Sequence, residues 1–127
     1  MSADEGGSAG TILVVDDEVL IRMMVVDELI DTGFTCEEAS SGAEALDVLE
    51  RNRGIDLMIT DIGLPDGLDG NELAQRARTM RPNLKIMLMT GYTDAKAPAE
   101  GMRVLTKPFD MGDLIDQVRG LLASVPS

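Results

Sequence analysis

Four short apolar runs punctuate the chain: Ile12-Leu13-Val14-Val15, Leu57-Met58-Ile59-Thr60, Ile86-Met87-Leu88-Met89 and Val104-Leu105-Thr106. Continuous apolar runs of this length, set between helical patterns, read as buried strands of a parallel sheet. Between them the apolar period changes. A first helix is predicted from Val19 to Thr32, with Val19, Met23, Val26 and Ile30 as its core stripe and Gly33 as its stop. A second strand near Phe34 to Glu38 precedes Ser41-Gly42-Ala43-Glu44, whose capping-box spacing opens a helix carrying Ala45, Leu46 and Leu49. A third helix, from about Gly70 to Arg81, is expected to bury Leu73, Ala77 and Met80 before Pro82 ends it. Strands four and five fall at Lys85 to Met89 and Arg103 to Thr106. A last helix, about Met111 to Ala123, places Leu114, Val118, Leu121 and Leu122 on one face. Five rounds of strand and helix predict an α/β fold, a doubly wound parallel sheet with helices on both faces and right-handed crossovers.

One domain accounts for this pattern, spanning residues 11–123. Residues 1–10, rich in Gly, Ser and acid, read as a flexible tail, and 124–127 as a short C-terminal one. With 127 residues the chain is long enough to bury a sizeable core. Two Phe, one Tyr and no Trp make that core aliphatic, with nine Met as adaptable filler. The formal charge is −12, from 23 Asp and Glu against 11 Lys and Arg. Phosphate-backbone binding needs a basic surface, so nucleic acid is not an expected partner. No apolar stretch approaches the roughly 20 residues that cross a bilayer, and no signal pattern opens the chain. A lone Cys36 makes no intrachain disulfide. A cytoplasmic location is the expectation.

The polar residues that end the apolar runs carry the chemistry. Asp16-Asp17, Asp61, Thr90 and Lys107 each follow a predicted strand, and ligands of parallel sheets bind beyond the strands' carboxyl ends. Residues far apart in sequence therefore converge on one crevice. Three carboxylates there repel one another, by about 4 kcal/mol for a pair 4 Å apart at an effective dielectric of 20. A divalent cation and a lysine offset that repulsion. Mg²⁺ is the natural cation, since it takes one or two carboxylates plus a phosphate oxygen. Lys107 supplies a point charge for a phosphoryl oxygen, and Thr90 a hydroxyl. Asp61 is the candidate nucleophile, because carboxylates form aspartyl-phosphates. The set describes a phosphoryl-transfer site.

Over about Thr11 to Ala123 the sequence resembles a two-component response regulator receiver domain (CheY-like). The resembling segments are Ile12-Leu13-Val14-Val15-Asp16-Asp17-Glu18, Met89-Thr90-Gly91, Asp61-Ile62-Gly63-Leu64-Pro65 and Leu105-Thr106-Lys107-Pro108-Phe109. The resemblance implies a flavodoxin-like strand order of 2-1-3-4-5. It implies that Asp61 accepts a phosphoryl group from a histidine kinase or a histidine phosphotransfer protein. It implies that Asp17, Asp61 and the backbone carbonyl of Gly63 bind Mg²⁺ directly, with Asp16 acting through water. Lys107 would pair with the phosphoryl group, Thr90 would report it, and the Lys107–Pro108 bond would be cis. No catalytic turnover beyond slow self-dephosphorylation is expected. Gly63 stands where haloacid-dehalogenase-type phosphatases carry a second, acid-catalytic Asp.

Four departures from that family pattern are visible. Val104 occupies the place of the usual fifth-strand aromatic, which leaves Tyr92 as the candidate switch aromatic in a Thr-Gly-Tyr arrangement. Only 17 positions separate Thr90 from Lys107, and Pro98 and Gly101 interrupt them, so helix four is expected to be short or disordered. The loop Pro65 to Gly70 is one residue longer than the common form. No output domain is expected, and the initial Met and acidic tail favour a free-standing regulator with an unknown downstream protein target. Ile21 and Met24 lie one turn apart beyond the acidic pair, and with Pro108 and Phe109 are expected to dock the phosphodonor. Two alternatives stay open: a receiver module of a hybrid histidine kinase, and an adaptor that works without phosphorylation.

Overall fold

Alternate residues along each central strand face opposite ways, and here both faces are apolar. The computed structural model describes residues 10–64, 68–91 and 102–123. Within them run β1 (Thr11–Val15), α1 (Val19–Thr32), β2 (Thr35–Ala39), α2 (Gly42–Arg51), β3 (Leu57–Asp61), α3 (Gly70–Met80), β4 (Lys85–Thr90), β5 (Met102–Thr106) and α4 (Met111–Ala123). The five strands form one sheet in the order β2-β1-β3-β4-β5, every pair parallel. Ile12, Val14, Leu57, Ile59, Met87 and Met89 meet α1 and α4 on one face. Leu13, Val15, Met58, Ile86 and Leu88 meet α2 and α3 on the other. The doubly wound fold and its strand order are as the sequence pattern and the resemblance imply.

Local signals explain most boundaries. Gly33 closes α1 at φ 111°, a left-handed conformation that side chains avoid, and its N–H bonds the Ile30 carbonyl. Phe34 belongs to the same closure, since its N–H reaches the Leu29 carbonyl, so β2 starts one residue later than predicted. Ser41 caps α2 by accepting the Glu44 N–H at 3.1 Å. Glu44 returns its carboxylate to Ser40, accepting from the N–H at 2.6 Å and the hydroxyl at 2.9 Å. These bonds hold the Glu44 carboxyl below its usual range.

The core stripe predicted for α1 is corrected. Val19, Met23 and Ile30 are exposed, and of that set only Val26 is buried; Val25 and Leu29 join it in the core. Apolar residues surround this helix almost completely, so periodicity alone selects no face. The acidic Asp27 and Asp31 lie opposite the Val25–Leu29 side, and on that buried side Arg22 bonds the Asp16 carbonyl at 2.7 Å and Glu38 at 2.9 Å. Met80 is likewise 41% exposed rather than buried, because α3 presents Leu73, Ala74 and Ala77 to the sheet and ends there. The helix expected between β4 and β5, most of the Pro65–Gly70 loop's first half and Tyr92 lie outside the described residues. No described helix is long and apolar enough to cross a membrane.

Candidate functional site

Asp16 follows β1 directly, and its N–H continues the pairing to β2 by bonding the Ala39 carbonyl at 3.1 Å. It is fully buried. Its Oδ1 accepts the Glu18 N–H at 2.9 Å, whereas Oδ2 has no hydrogen-bond partner among the described residues. Burial raises the Asp16 carboxyl above its ordinary value; the Glu18 N–H opposes this, and the Asp61 charge adds to it. An orphaned, buried carboxylate oxygen is costly unless a cation reaches it.

Asp61 is the last residue of β3, and the next N–H, that of Ile62, still pairs with Met89 of β4 at 3.0 Å. Its Oδ2 accepts from Lys107 Nζ at 2.9 Å, and its Oδ1 accepts the Gly63 N–H at 3.2 Å. Both oxygens are thus oriented. Lys107 arrives through the neighbouring strand end: its N–H bonds the carbonyl of Thr90 at 2.7 Å. Thr90 itself ends β4, is buried, and stands opposite Thr106 in the register. Burial works to lower the Lys107 ammonium, but the hydrogen bond and charge of Asp61, with the charges of Asp16 and Glu18, raise it overall. Lys107 therefore stays protonated.

Carboxylate oxygens of Asp16, Glu18 and Asp61 lie within 4.8 Å of one another. At an effective dielectric of 20 each such pair repels by about 3 to 4 kcal/mol. One ammonium faces three carboxylates, which leaves negative charge to be neutralised. A hard, all-oxygen donor set with an unpartnered buried oxygen fits Mg²⁺. The strand-end convergence predicted for Asp16, Asp61, Thr90 and Lys107 is present. Asp17 is exposed and stands outside the carboxylate group, and the bond found at Gly63 comes from its N–H. Sequence reasoning missed Glu18 and Arg22. Glu18 was signalled only by adjoining the acidic pair, and Arg22 by being the single cation in an otherwise apolar first half of α1.

The proposed docking residues divide. Met24 is 58% exposed and Pro108 is exposed, whereas Ile21 and Phe109 are half-buried and pack against the core. The Lys107–Pro108 bond is cis. Val104 is half-buried against the α2–α3 side. Cys36 is half-buried on β2, where burial and then Glu38 push its thiol up to about 11, so it is not a ready nucleophile.

Known proteins resemble this arrangement over most of the chain. The model of the response regulator receiver domain family matches residues 12–119. Response regulator receiver protein CpdR of Brucella abortus (strain 2308) is 35% identical over 117 residues, covering 87% of this chain and 95% of CpdR. Sensor kinase CckA of the same organism is 37% identical over 127 residues, covering 95% of this chain but only 13% of the kinase. Response regulator protein TrrA of Thermotoga maritima, crystallised in complex with Mg²⁺ and BeF, superposes with a TM-score of 0.78 at 33% identity, covering 88% of this chain and 98% of TrrA. A family match of this extent, on a site with an aspartate, a lysine and an acidic cluster at adjoining strand ends, settles the family: the chain is a response regulator receiver domain, the phosphoacceptor switch of two-component signalling.

Proposed function

We propose that Asp61 is the phosphoacceptor, with Mg²⁺ held beside it and a histidine kinase or histidine phosphotransfer protein as donor. The observation that carries this reading is the Asp61–Lys107 pair at 2.9 Å, beside the buried Asp16 Oδ2, which has no partner among the described residues. An Asp61 oxygen forms the new O–P bond as the N–P bond of the donor phosphohistidine breaks, and the imidazole leaves with the electron pair. Lys107 is positioned to exchange its bond with Asp61 for one to a phosphoryl oxygen. Gly63 N–H and Lys107 together orient the carboxylate before attack, which lowers the cost of reaching the in-line geometry. Asp17, Asp61 and the Gly63 carbonyl would hold the cation directly, as the resemblance implies, with Asp16 acting through water. When bound, Mg²⁺ neutralises charge that develops on the phosphoryl oxygens.

Thr90, buried at the end of β4, is the group that would report the phosphoryl, with Tyr92 as its aromatic partner. The protein acts as a regulatory acceptor rather than a turnover catalyst, works in the cytoplasm, and changes its affinity for a protein target rather than for nucleic acid or membrane. A second reading, a module within a hybrid histidine kinase, is favoured by the match to CckA. It keeps the same acceptor chemistry.

Acetyl phosphate or beryllofluoride with Mg²⁺ tests the proposal, read by mass or NMR. Wild type is expected to gain one adduct, at Asp61, and Asp61→Asn none. Label at another residue, or equal labelling of the variant, refutes it and leaves an adaptor that works without phosphorylation.

A further inference from the structure

Asp16 and Asp17 share one peptide unit, which is planar, so whatever holds its carbonyl also fixes where both side chains start. A side chain holds it: Arg22 Nη1 donates to the Asp16 carbonyl at 2.7 Å. Arg22, in the first turn of α1, is itself held, its Nε donating to Glu38 at 2.9 Å. Its side chain is only 15% exposed, although a guanidinium loses hydration on burial. On its other side Asp16 donates its own N–H to the carbonyl of Ala39, the last residue of β2. The backbone of Asp16 is thus tied twice to the end of β2, directly to Ala39 and through Arg22 to Glu38. Lysine offers a point charge there; a planar fork with donors in fixed geometry meets a carbonyl and a carboxylate together.

We infer that Arg22, clamped by Glu38, is a positioning residue for the acceptor site, holding the Asp16–Asp17 peptide in the orientation that the cation beside Asp61 requires; this rests on the phosphoacceptor reading of the same site. Its bonds end on the Asp16 carbonyl and on Glu38, so it acts through the backbone. The end of β2, an edge strand, therefore bears on the readiness of the acceptor. A like arrangement at the opposite end of the sheet supplies the comparison. There Arg81 Nη2 donates to the carbonyls of Arg53 and Ile55, ahead of β3, at 2.8 and 2.7 Å. The bonds are of the same kind, but they hold no site residue.

The test compares the whole chain with Arg22→Met, Arg22→Lys, Glu38→Ala, Glu38→Gln and Arg81→Met, each well below its own melting temperature. Without Mg²⁺, amide exchange at Asp16 and Glu18 is expected to speed about tenfold in Arg22→Met and to stay unchanged in Arg81→Met. Calorimetric titration then reads Mg²⁺ affinity, expected to fall about tenfold in Arg22→Met. Arg22→Lys keeps the charge without the fork and shares most of that loss. Glu38→Ala costs about threefold, and Glu38→Gln, which keeps an acceptor for Nε, less. Adding Glu38→Ala to Arg22→Met costs nothing more, because the clamp has nothing left to hold. Arg22→Met within about twofold of wild type in either readout, full rescue by lysine, additive losses, or an equal loss in Arg81→Met each overturn the inference. Glu38 is exposed, so Glu38→Ala decides alone should Arg22→Met fail to fold, and wild-type behaviour there overturns it too. Acetyl phosphate labelling at saturating Mg²⁺ separates the two claims. If wild type takes no adduct at Asp61, the phosphoacceptor reading fails; if it does while the Arg22 variants match wild type, only the role of Arg22 fails.

Discussion

Asp16 concentrates the electrostatic tension of this fold in one side chain. Its neighbours satisfy Oδ1 and the backbone, while Oδ2 is buried with no donor among the described residues. Because its folded-state value is raised, the folded protein holds that proton more tightly than the unfolded chain does. The sign follows: the contribution is full below the ordinary carboxylate value and is lost as pH rises through the raised one. Asp16→Asn keeps the acceptor for Glu18 N–H and removes the charge. Without divalent cations it should therefore be more stable than wild type at neutral pH, by about 1 to 3 kcal/mol, and the gap should close in acid. Denaturant titrations at several pH values check this; a gap that stays constant with pH contradicts it. Glu44 works in the opposite direction: its lowered value stabilises the fold above the ordinary glutamate range, and that contribution fades as pH falls. Of the site residues, those defined by strand ends were legible from apolar patterning. The approach of Glu18 to Asp16 and Asp61 was not, because it depends on how α1 enters the sheet edge.

At the scale of elements, the junction of β3 and α3 fixes where the acceptor sits. Gly70 opens α3 and bonds the Ile62 carbonyl at 2.8 Å. A Cβ there would lie 2.4 Å from the Asp61 carbonyl oxygen and 2.6 Å from Ile62 Cα. Both are backbone atoms at the acceptor's own strand end, so neither can step aside alone. At Gly42, at the start of α2, the nearest described atoms to an added Cβ belong to the Leu68 side chain, at 2.6 Å. Gly70→Ala should thus destabilise the fold by about 2 to 3 kcal/mol and slow labelling of Asp61 by small donors. Gly42→Ala should cost less, because Leu68 can rotate and alanine favours helix. Thermal melts and labelling rates of the two variants decide it; equal effects would remove the claim. Helix α1 shows where sequence reading reaches its limit. Its boundaries follow from Gly33, but its buried face does not follow from an apolar pattern that surrounds it. Val25, Val26 and Leu29 are buried and Val19, Met23 and Ile30 exposed, with the Arg22 bonds to Asp16 and Glu38 on the buried side.

For the whole molecule, that choice of face leaves an apolar surface beside the acceptor. Leu20 is 76% exposed and Met24 58%, with Met23 and Val19 adjoining them on the same helix. A phosphodonor helix docking there would bury these side chains while its histidine reaches Asp61. Ile21 is a poor probe, being packed against the core, whereas Met24 is free of that complication. Met24→Asp is expected to slow phosphotransfer from the donor protein about tenfold while leaving acetyl phosphate labelling intact. Equal loss in both assays would remove docking from this face. By itself the sequence determined the order of strands and helices, the two-faced apolar sheet and the residues at its carboxyl edge. Those features are written in local periodicity and in side chains that cannot be buried mid-strand. Only the tertiary structure decided which face of α1 is core, that Lys107 pairs with Asp61, and that Glu18 rather than Asp17 joins the carboxylates. These are matters of rotation and reach between elements distant in sequence, and no spacing along one segment encodes them.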